Sequence, residues 1–262
     1  MGSDRSASLR LVLILLPPSE TKSDGGDGPP LELDQLSFAE LNPARKELID
    51  DLVALAADPA ASRAALGISQ RQDSEVARNA ALWSTPTSPA LRRYTGVLYD
   101  ALDAGSLRGA GAARATERLA VGSALFGLLR AGDPVPAYRL SAGSALPGRG
   151  TLAAFWRPTL DPVLAGLEGL VVDLRSGSYA ALGRVPGAVT VRVLTERADG
   201  SRTVVSHHNK ASKGRLARLL ATSKAEPTDL AGLLRVLRRA GLPIERGDTE
   251  NELDLVLPDP LG

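Results

Sequence analysis

Apolar positions fall along this chain in two rhythms. Leu11 to Leu16 is an unbroken apolar run between Arg10 and Pro17-Pro18, the pattern of a short buried strand closed by residues that cannot continue a ladder. Ser19 to Pro30, rich in Gly, Pro and Asp, reads as a loop. From Asn42 the rhythm turns helical: Asn42 is placed to cap, Pro43 suits the first helical position, and Leu48, Ile49, Leu52, Val53 and Ala56 recur at helical spacing. Two further helices are predicted over Pro59 to Leu66 and Gln70 to Leu82, with a tight reversal at Gly67-Ile68-Ser69 that calls for a left-handed glycine.

Beyond Pro86 and Pro89 the signals mix. Leu119 to Leu129 is apolar but carries glycines, Asp133-Pro134-Val135-Pro136 is a turn, and Leu170 to Leu174 is a short strand candidate. Val189, Val191 and Val193 alternate with Thr190, Arg192 and Leu194 before Asp199-Gly200 and a returning Thr203-Val204-Val205, which predicts a hairpin. Helices follow over Ala211 to Thr222 and Thr228 to Ala240, the second capped by Thr228 and ended by Gly241 and Pro243, and Leu253 to Leu257 closes the sheet. With no internal repeat or linker, the expectation is one α+β unit over residues 9–258. It has a mixed sheet, surrounding helices, a helical insertion at about 43–82 and a disordered tail at 1–8.

Composition narrows the chemistry. At 44% hydrophobic and 23% charged over 262 residues, the chain has the makeup of a folded domain. It has no cysteine, which excludes disulfides, thiolate nucleophiles and Cys-ligated metals, and its two histidines speak against a multi-histidine centre, so no metal site is expected. The Leu11 to Leu16 run is too short for a secretory signal or a membrane span, and a cytoplasmic location is expected. Met1-Gly2-Ser3-Asp4-Arg5-Ser6 fits the loose myristoylation pattern, but no polybasic patch supplies a second anchor.

A net charge of +1 means that any nucleic-acid surface is local. The basic set is 26 Arg and five Lys, at positions 22, 46, 210, 213 and 224. Ser201 to Ala225 holds Arg202, Lys210, Lys213, Arg215, Arg218 and Lys224 and no carboxylate, whereas the first 60 residues hold 11 acidic and five basic side chains. In a helix from Ala211, Lys213, Arg215 and Arg218 are expected to share a face, either as a phosphate-binding stripe or as a solvated surface. Gly214 within it permits close approach of a phosphate or of another backbone.

The loop Pro17-Pro18-Ser19-Glu20-Thr21-Lys22 follows the first strand, where α/β sheets gather ligand-binding loops, and offers hydroxyls and an ammonium to an anion. Tyr138-Arg139 and Trp156-Arg157 set an aromatic beside an arginine in a chain with only nine aromatics, a pairing suited to a base or sugar phosphate and equally to a packed core.

The ordered series Leu16-Pro17-Pro18-Ser19-Glu20-Thr21-Lys22, Tyr94-Thr95-Gly96, Phe126-Gly127-Leu128-Leu129-Arg130, Ala137-Tyr138-Arg139-Leu140, Phe155-Trp156, Asp173-Leu174-Arg175-Ser176 with Tyr179, and Lys213-Gly214-Arg215 with Arg218 resembles the YaaA family of peroxide-stress proteins. The resemblance runs from about residue 11 to 220. It implies a cytosolic bacterial protein with an α+β fold, a helix-hairpin-helix element and a basic cleft, linked to limiting oxidative and iron-driven damage and to binding double-stranded DNA. It adds Tyr94, Arg130, Ser176 and Tyr179 to the candidate ligand-binding residues. One departure stands out. Where the family often shows Asn-Leu-Ala-Ser-x-Glu-Tyr followed by Phe-Lys, this chain has Asp173-Leu174-Arg175-Ser176-Gly177-Ser178-Tyr179 followed by Ala180-Ala181 and lacks that Glu and Lys.

Two functions remain open. The first is protective, nonspecific binding of double-stranded DNA, with Gly67 and Ser69 of the hairpin donating backbone amides to phosphates and Lys210, Lys213, Arg215 and Arg218 neutralising others. The second is an enzyme acting on a nucleobase, nucleotide or other small phosphate-containing ligand. Its pocket is formed by Ser19, Lys22, Tyr138, Arg139, Trp156, Ser176 and Lys213, with Lys22, Arg139 and Lys213 expected to line one cleft. No acid/base pair or nucleophile triad is assignable from spacing. A haem, as a redox cofactor, would find ligands only in His207, His208, a tyrosine or Met1.

Overall fold

The computed structural model describes residues 12–204 and 206–259, with side chains throughout except at 204 and 206–208. The expected tail at 1–8, the myristoylation pattern, Leu11 and Val205 lie outside the described residues. In chain order the strands are β1 (Leu13–Leu16), β2 (Ser88–Pro89), β3 (Leu119–Ser123), β4 (Gly127–Arg130), β5 (Pro134–Val135), β6 (Val171–Asp173), β7 (Val189–Glu196), β8 (Arg202–Val204), β9 (Ile244–Arg246) and β10 (Glu252–Pro258). The helices are α1 (Asn42–Leu55), α2 (Pro59–Leu66), α3 (Asp73–Ala80), α4 (Ala90–Arg93), α5 (Val97–Leu102), α6 (Gly109–Arg118), α7 (Leu152–Ala165), α8 (Gly177–Ala180), α9 (Ser206–Thr222) and α10 (Leu230–Arg239).

One mixed sheet, ordered β4-β3-β1-β6-β7-β10-β9 with β8 beside β7, carries the fold. Its central pairs β3/β1, β1/β6, β6/β7 and β7/β10 are parallel. Parallel strands buried on both faces lose the alternation of apolar and polar residues, which is why β1 and β3 read as continuous apolar runs and are buried at every position. The parallel register brings the carboxyl ends of β1, β3 and β6 side by side, so the segments that leave them meet along one edge of the sheet. Antiparallel β4, β8 and β9 are added through β3, β7 and β10.

The α+β expectation holds, and several local expectations change. Asn42 is the first residue of α1 and does not cap it; its amide donates to the Leu33 carbonyl and accepts from Arg45. The helix predicted from Gln70 starts as a 3-10 turn, Gln70–Gln72, and α3 ends at Ala80. Asp229, not Thr228, caps α10, its carboxylate accepting from the Gly232 amide at 2.6 Å. The apolar stretch from Leu119 folds as the β3/β4 pair, and β9 was not foreseen. Because α9 begins at Ser206, Gly214 lies inside it, where a Cβ would overlap the Leu98 carbonyl oxygen of α5. The neighbour that this glycine admits is therefore a helix backbone rather than a phosphate.

Candidate functional site

Lys22 is the centre of the carboxyl edge. It leaves β1 through the two prolines and bridges backbone to backbone with Tyr94. Its ammonium donates to the carbonyls of Ser19 at 2.9 Å and Glu20 at 3.2 Å and lies 4.1 Å from the centre of the Tyr138 ring and 5.5 Å from that of Tyr94. Burial pushes the amine down to about 7, Arg139 and Arg78 act in the same direction, and Glu75 and Glu20 oppose them. The two carbonyls and the two ring faces stabilise the charged form. Lys22 is therefore poised to change charge near neutral pH.

The loop holding it is tied down. Ser19 accepts from the Thr95 amide at 3.1 Å and donates to the Thr21 carbonyl, Thr95 and Thr21 share a hydroxyl bond, and the Tyr99 hydroxyl donates to the Pro17 carbonyl at 2.8 Å. Beneath it runs a buried hydroxyl chain. Tyr94 and Tyr138 meet oxygen to oxygen at 2.9 Å, and Tyr138 meets Ser123 Oγ, at the end of β3, at 2.7 Å. Ser123 Oγ also accepts the amides of Leu125 and Phe126, so the chain ends on fixed backbone donors. Burial raises all three of Tyr94, Tyr99 and Tyr138, which keeps them neutral donors.

Arg139 forms the rim. Its guanidinium pairs with Glu20 at 2.9 Å, and its backbone is clamped by the Asn79 amide, which donates to the carbonyl and accepts from the N–H, both at 2.8 Å. The half-buried Tyr179 adjoins this rim; burial raises its pKa, a backbone hydrogen bond at Ala142 opposes the shift, and Glu20 and Arg139 act on it in opposite directions. At the end of β6, Asp173 and Arg175 form a buried ion pair with bonds at 2.9 and 2.7 Å, and Arg175 continues to the Gly183 carbonyl. Gly122 admits the stem of Arg175, since a Cβ there would come within 2.7 Å of it. Lys213 reaches from α9 to the Leu174 carbonyl at 3.2 Å; burial lowers its pKa and Asp173 opposes the shift.

Of the residues expected from the sequence, Ser19, Lys22, Tyr94, Tyr138, Arg139 and Tyr179 come together here. Lys213 lies at the next strand end and lines a cavity that Lys22 does not, so the single cleft expected for Lys22, Arg139 and Lys213 is two neighbouring places. Ser176 is exposed and bonded to Ser178. Trp156 is wholly buried, its indole N–H on the Ala124 carbonyl at 2.8 Å and its ring over Gly127; it is core and forms no ligand wall. Arg130 lies at the opposite end of the strands, because β4 runs back against β3 and pairs Arg130 with Ala120. There it borders a cavity of about 1030 Å³, beside Val12, Leu13 and Phe38.

The basic stripe on α9 divides. Lys213 turns inward, Arg218 is held by the carbonyls of Leu102 and Asp103, and Lys210 and Arg215 are exposed. A 3.6-residue repeat sets Lys213 and Arg215 on opposite sides of a helix, which corrects the shared face expected for them. Between α2 and the 3-10 turn Gln70–Gln72, Gly67 is left-handed at φ +64° as expected, although the helix-hairpin-helix element itself is not established. Its amide and that of Ile68 are bound to the Arg63 carbonyl, and that of Ser69 to Gln72 Oε1. The donors expected to grip phosphate are engaged within the chain.

Asn79, whose amide clamps the backbone of Arg139, was not foreseen. The available signal was propensity, since asparagine is a poor helix former that persists in a helix interior when its amide bonds elsewhere. For the haem alternative, Met1, His207 and His208 fall outside the described side chains, and the hydroxyls of Tyr94, Tyr99 and Tyr138 are already bonded to the protein. Among the described residues no group of His, Asp and Glu is arranged to hold a metal, and no helix is long and apolar enough to cross a membrane.

Comparison with known proteins places this geometry in context. The family model for the peroxide stress protein YaaA matches residues 12–244. A UPF0246 protein of Corynebacterium efficiens is 51% identical over 245 residues, covering 92% of this chain and 98% of the relative. A UPF0246 protein of Streptomyces coelicolor is 44% identical over 239 residues, covering 89% and 92%. One from Chromobacterium violaceum is 30% identical over 226 residues, covering 78% and 84%.

Proposed function

Since the chain belongs to the YaaA peroxide stress protein family, we propose that it serves the response to peroxide, in the cytoplasm, by binding a small nucleotide-like anion at the carboxyl edge of its parallel strands. The observation that carries this reading is Lys22, a buried ammonium tuned to about 7 and fixed between the Ser19 and Glu20 carbonyls and two tyrosine rings. Packing alone is served better by an apolar residue there, because a buried cation is costly unless its charge is used. Arg139 stands at the rim, and its partner Glu20 is exposed enough to swing aside, so an incoming phosphate can exchange for that carboxylate. Tyr179 lies beside the same pair and offers a ring to a base.

Duplex DNA is the second reading. It rests on the exposed Lys210 and Arg215, since the hairpin amides, Lys213 and Arg218 have partners inside the chain. Calorimetric titration with uridine and adenosine monophosphates, beside a short duplex, separates the two. Saturable binding of a monophosphate that is lost in Lys22→Met supports the small-ligand reading. Tight duplex binding with no monophosphate binding overturns it.

A further inference from the structure

Asn209 and Lys213 stand one turn apart on α9 and so share a helix face. Both line a cavity of about 280 Å³ over β7, bordered by Asp173, Arg175, Thr190 and Arg192. Most of its charges are matched. Asp173 is held by Arg175, and Arg192 by Asp254 through two bonds of 2.8 Å. Two groups are not. Lys213 has the Leu174 carbonyl and, among the described residues, no carboxylate within ion-pair distance, which leaves N–H groups of its ammonium to spare. Asn209 Oδ1 is buried with no hydrogen-bond partner among the described residues. A buried acceptor is rarely left without a donor in a native protein.

From one helix face the cavity therefore presents one strong donor and one acceptor that lacks a donor among the described residues. An inorganic anion or a carboxylate satisfies Lys213 and leaves Asn209 orphaned. A metal ion would suit the Asn209 oxygen but would meet the Lys213 ammonium. The volume, about 280 Å³, lies just below the roughly 300–1,000 Å³ typical of ligand sites and is too small for a whole nucleotide. We propose that this cavity is a second binding site, distinct from the Lys22 site, for a small planar ligand that presents a carbonyl oxygen beside an N–H. That is the lactam edge of an oxo-pyrimidine or oxo-purine base. The carbonyl accepts from Lys213 and the N–H donates to Asn209 Oδ1. The paired Asp173 and Arg175 close one side.

The test titrates the full chain with uracil and hypoxanthine, and with 1,3-dimethyluracil, which keeps both carbonyls of uracil and lacks its N–H groups. Saturable binding of uracil or hypoxanthine is expected, with 1,3-dimethyluracil weaker than uracil by about tenfold or more, the worth of one hydrogen bond. Asn209→Ala and Lys213→Met should each weaken base binding by a similar factor, and Lys22→Met should leave it within about twofold. Absence of saturable binding by both bases, equal binding of uracil and its dimethyl analogue, or unchanged affinity in Asn209→Ala would overturn the proposal. The comparison of ligands on the wild-type chain stands even where a variant fails to fold. Retention of base binding in Lys22→Met separates this site from the nucleotide site, so either can fail alone.

Discussion

The ammonium of Lys22 lies 4.1 Å from the centre of the Tyr138 ring, and the hydroxyl of that ring lies 2.7 Å from Ser123 Oγ at the end of β3. A charge that enters on the first strand's loop is thus supported by a tyrosine fixed to the neighbouring strand. Tyr138→Phe keeps the ring under Lys22 and removes the hydroxyl, leaving Tyr94 without its partner. A loss of about 1–3 kcal/mol in denaturant unfolding is expected, with the slope against denaturant unchanged. Stability equal to wild type would mean that the hydroxyl chain contributes nothing net.

Lys22 also sets how stability varies with pH. Its folded pKa, about 7, lies below the unfolded 10.5, so between these values the unfolded chain binds more protons and stability rises with pH. Below about 7 the charged form must be buried, and that contribution is absent. In Lys22→Met the rise across this window should flatten, as read from unfolding midpoints at several pH values. An unchanged profile would place the titration elsewhere.

Two glycines should behave differently. Gly214→Ala places a methyl against the Leu98 carbonyl, and the overlap should outweigh the roughly 1 kcal/mol that alanine contributes in a helix, for a net loss of about 1–3 kcal/mol. Gly67→Ala meets open space but keeps φ at +64°, so its loss should be nearer 1 kcal/mol. Unfolding measurements that rank Gly67→Ala as the costlier change would refute the close contact between α5 and α9.

Much of this was written locally in the sequence. The apolar run of β1, the helical spacing of α1 and α2, the Asp199-Gly200 return into β8 and the apolar β10 follow from pattern alone. The site was partly legible for a different reason: scarce lysines and aromatics made Lys22 and Tyr138 conspicuous, and the family resemblance added Tyr94. What pattern could not supply was which end of the sheet a residue occupies. Arg130 and Trp156 sit in segments like those of the residues gathered around Lys22, but the antiparallel return of β4 carries Arg130 to the far end, and the contact with Gly127 buries Trp156. The exposed and buried faces of α9 depend on where the helix begins, and its start at Ser206 lies ahead of the apolar spacing.

Duplex DNA, if bound through α9, has only Lys210 and Arg215 exposed among the four cations expected to meet it. Two phosphate contacts correspond to a log-affinity slope against log salt of about −1.8. Anisotropy titrations at several salt concentrations should give a slope no steeper than this, and Lys210→Ala with Arg215→Ala should flatten it. A slope of about −3.6 or more would require further contacts and a different interface.

The most direct measurement is the affinity of a nucleoside monophosphate for the wild-type chain as pH is raised from about 6 to 8.5, beside Lys22→Met. Because the ammonium gives up its proton near 7, binding of the anion should weaken through that range in the wild type, and the variant should bind weakly at every pH with no such decline. Monophosphate affinity that is independent of pH in the wild type, or equal in the two proteins, would contradict the assignment of Lys22 as the anion-binding centre.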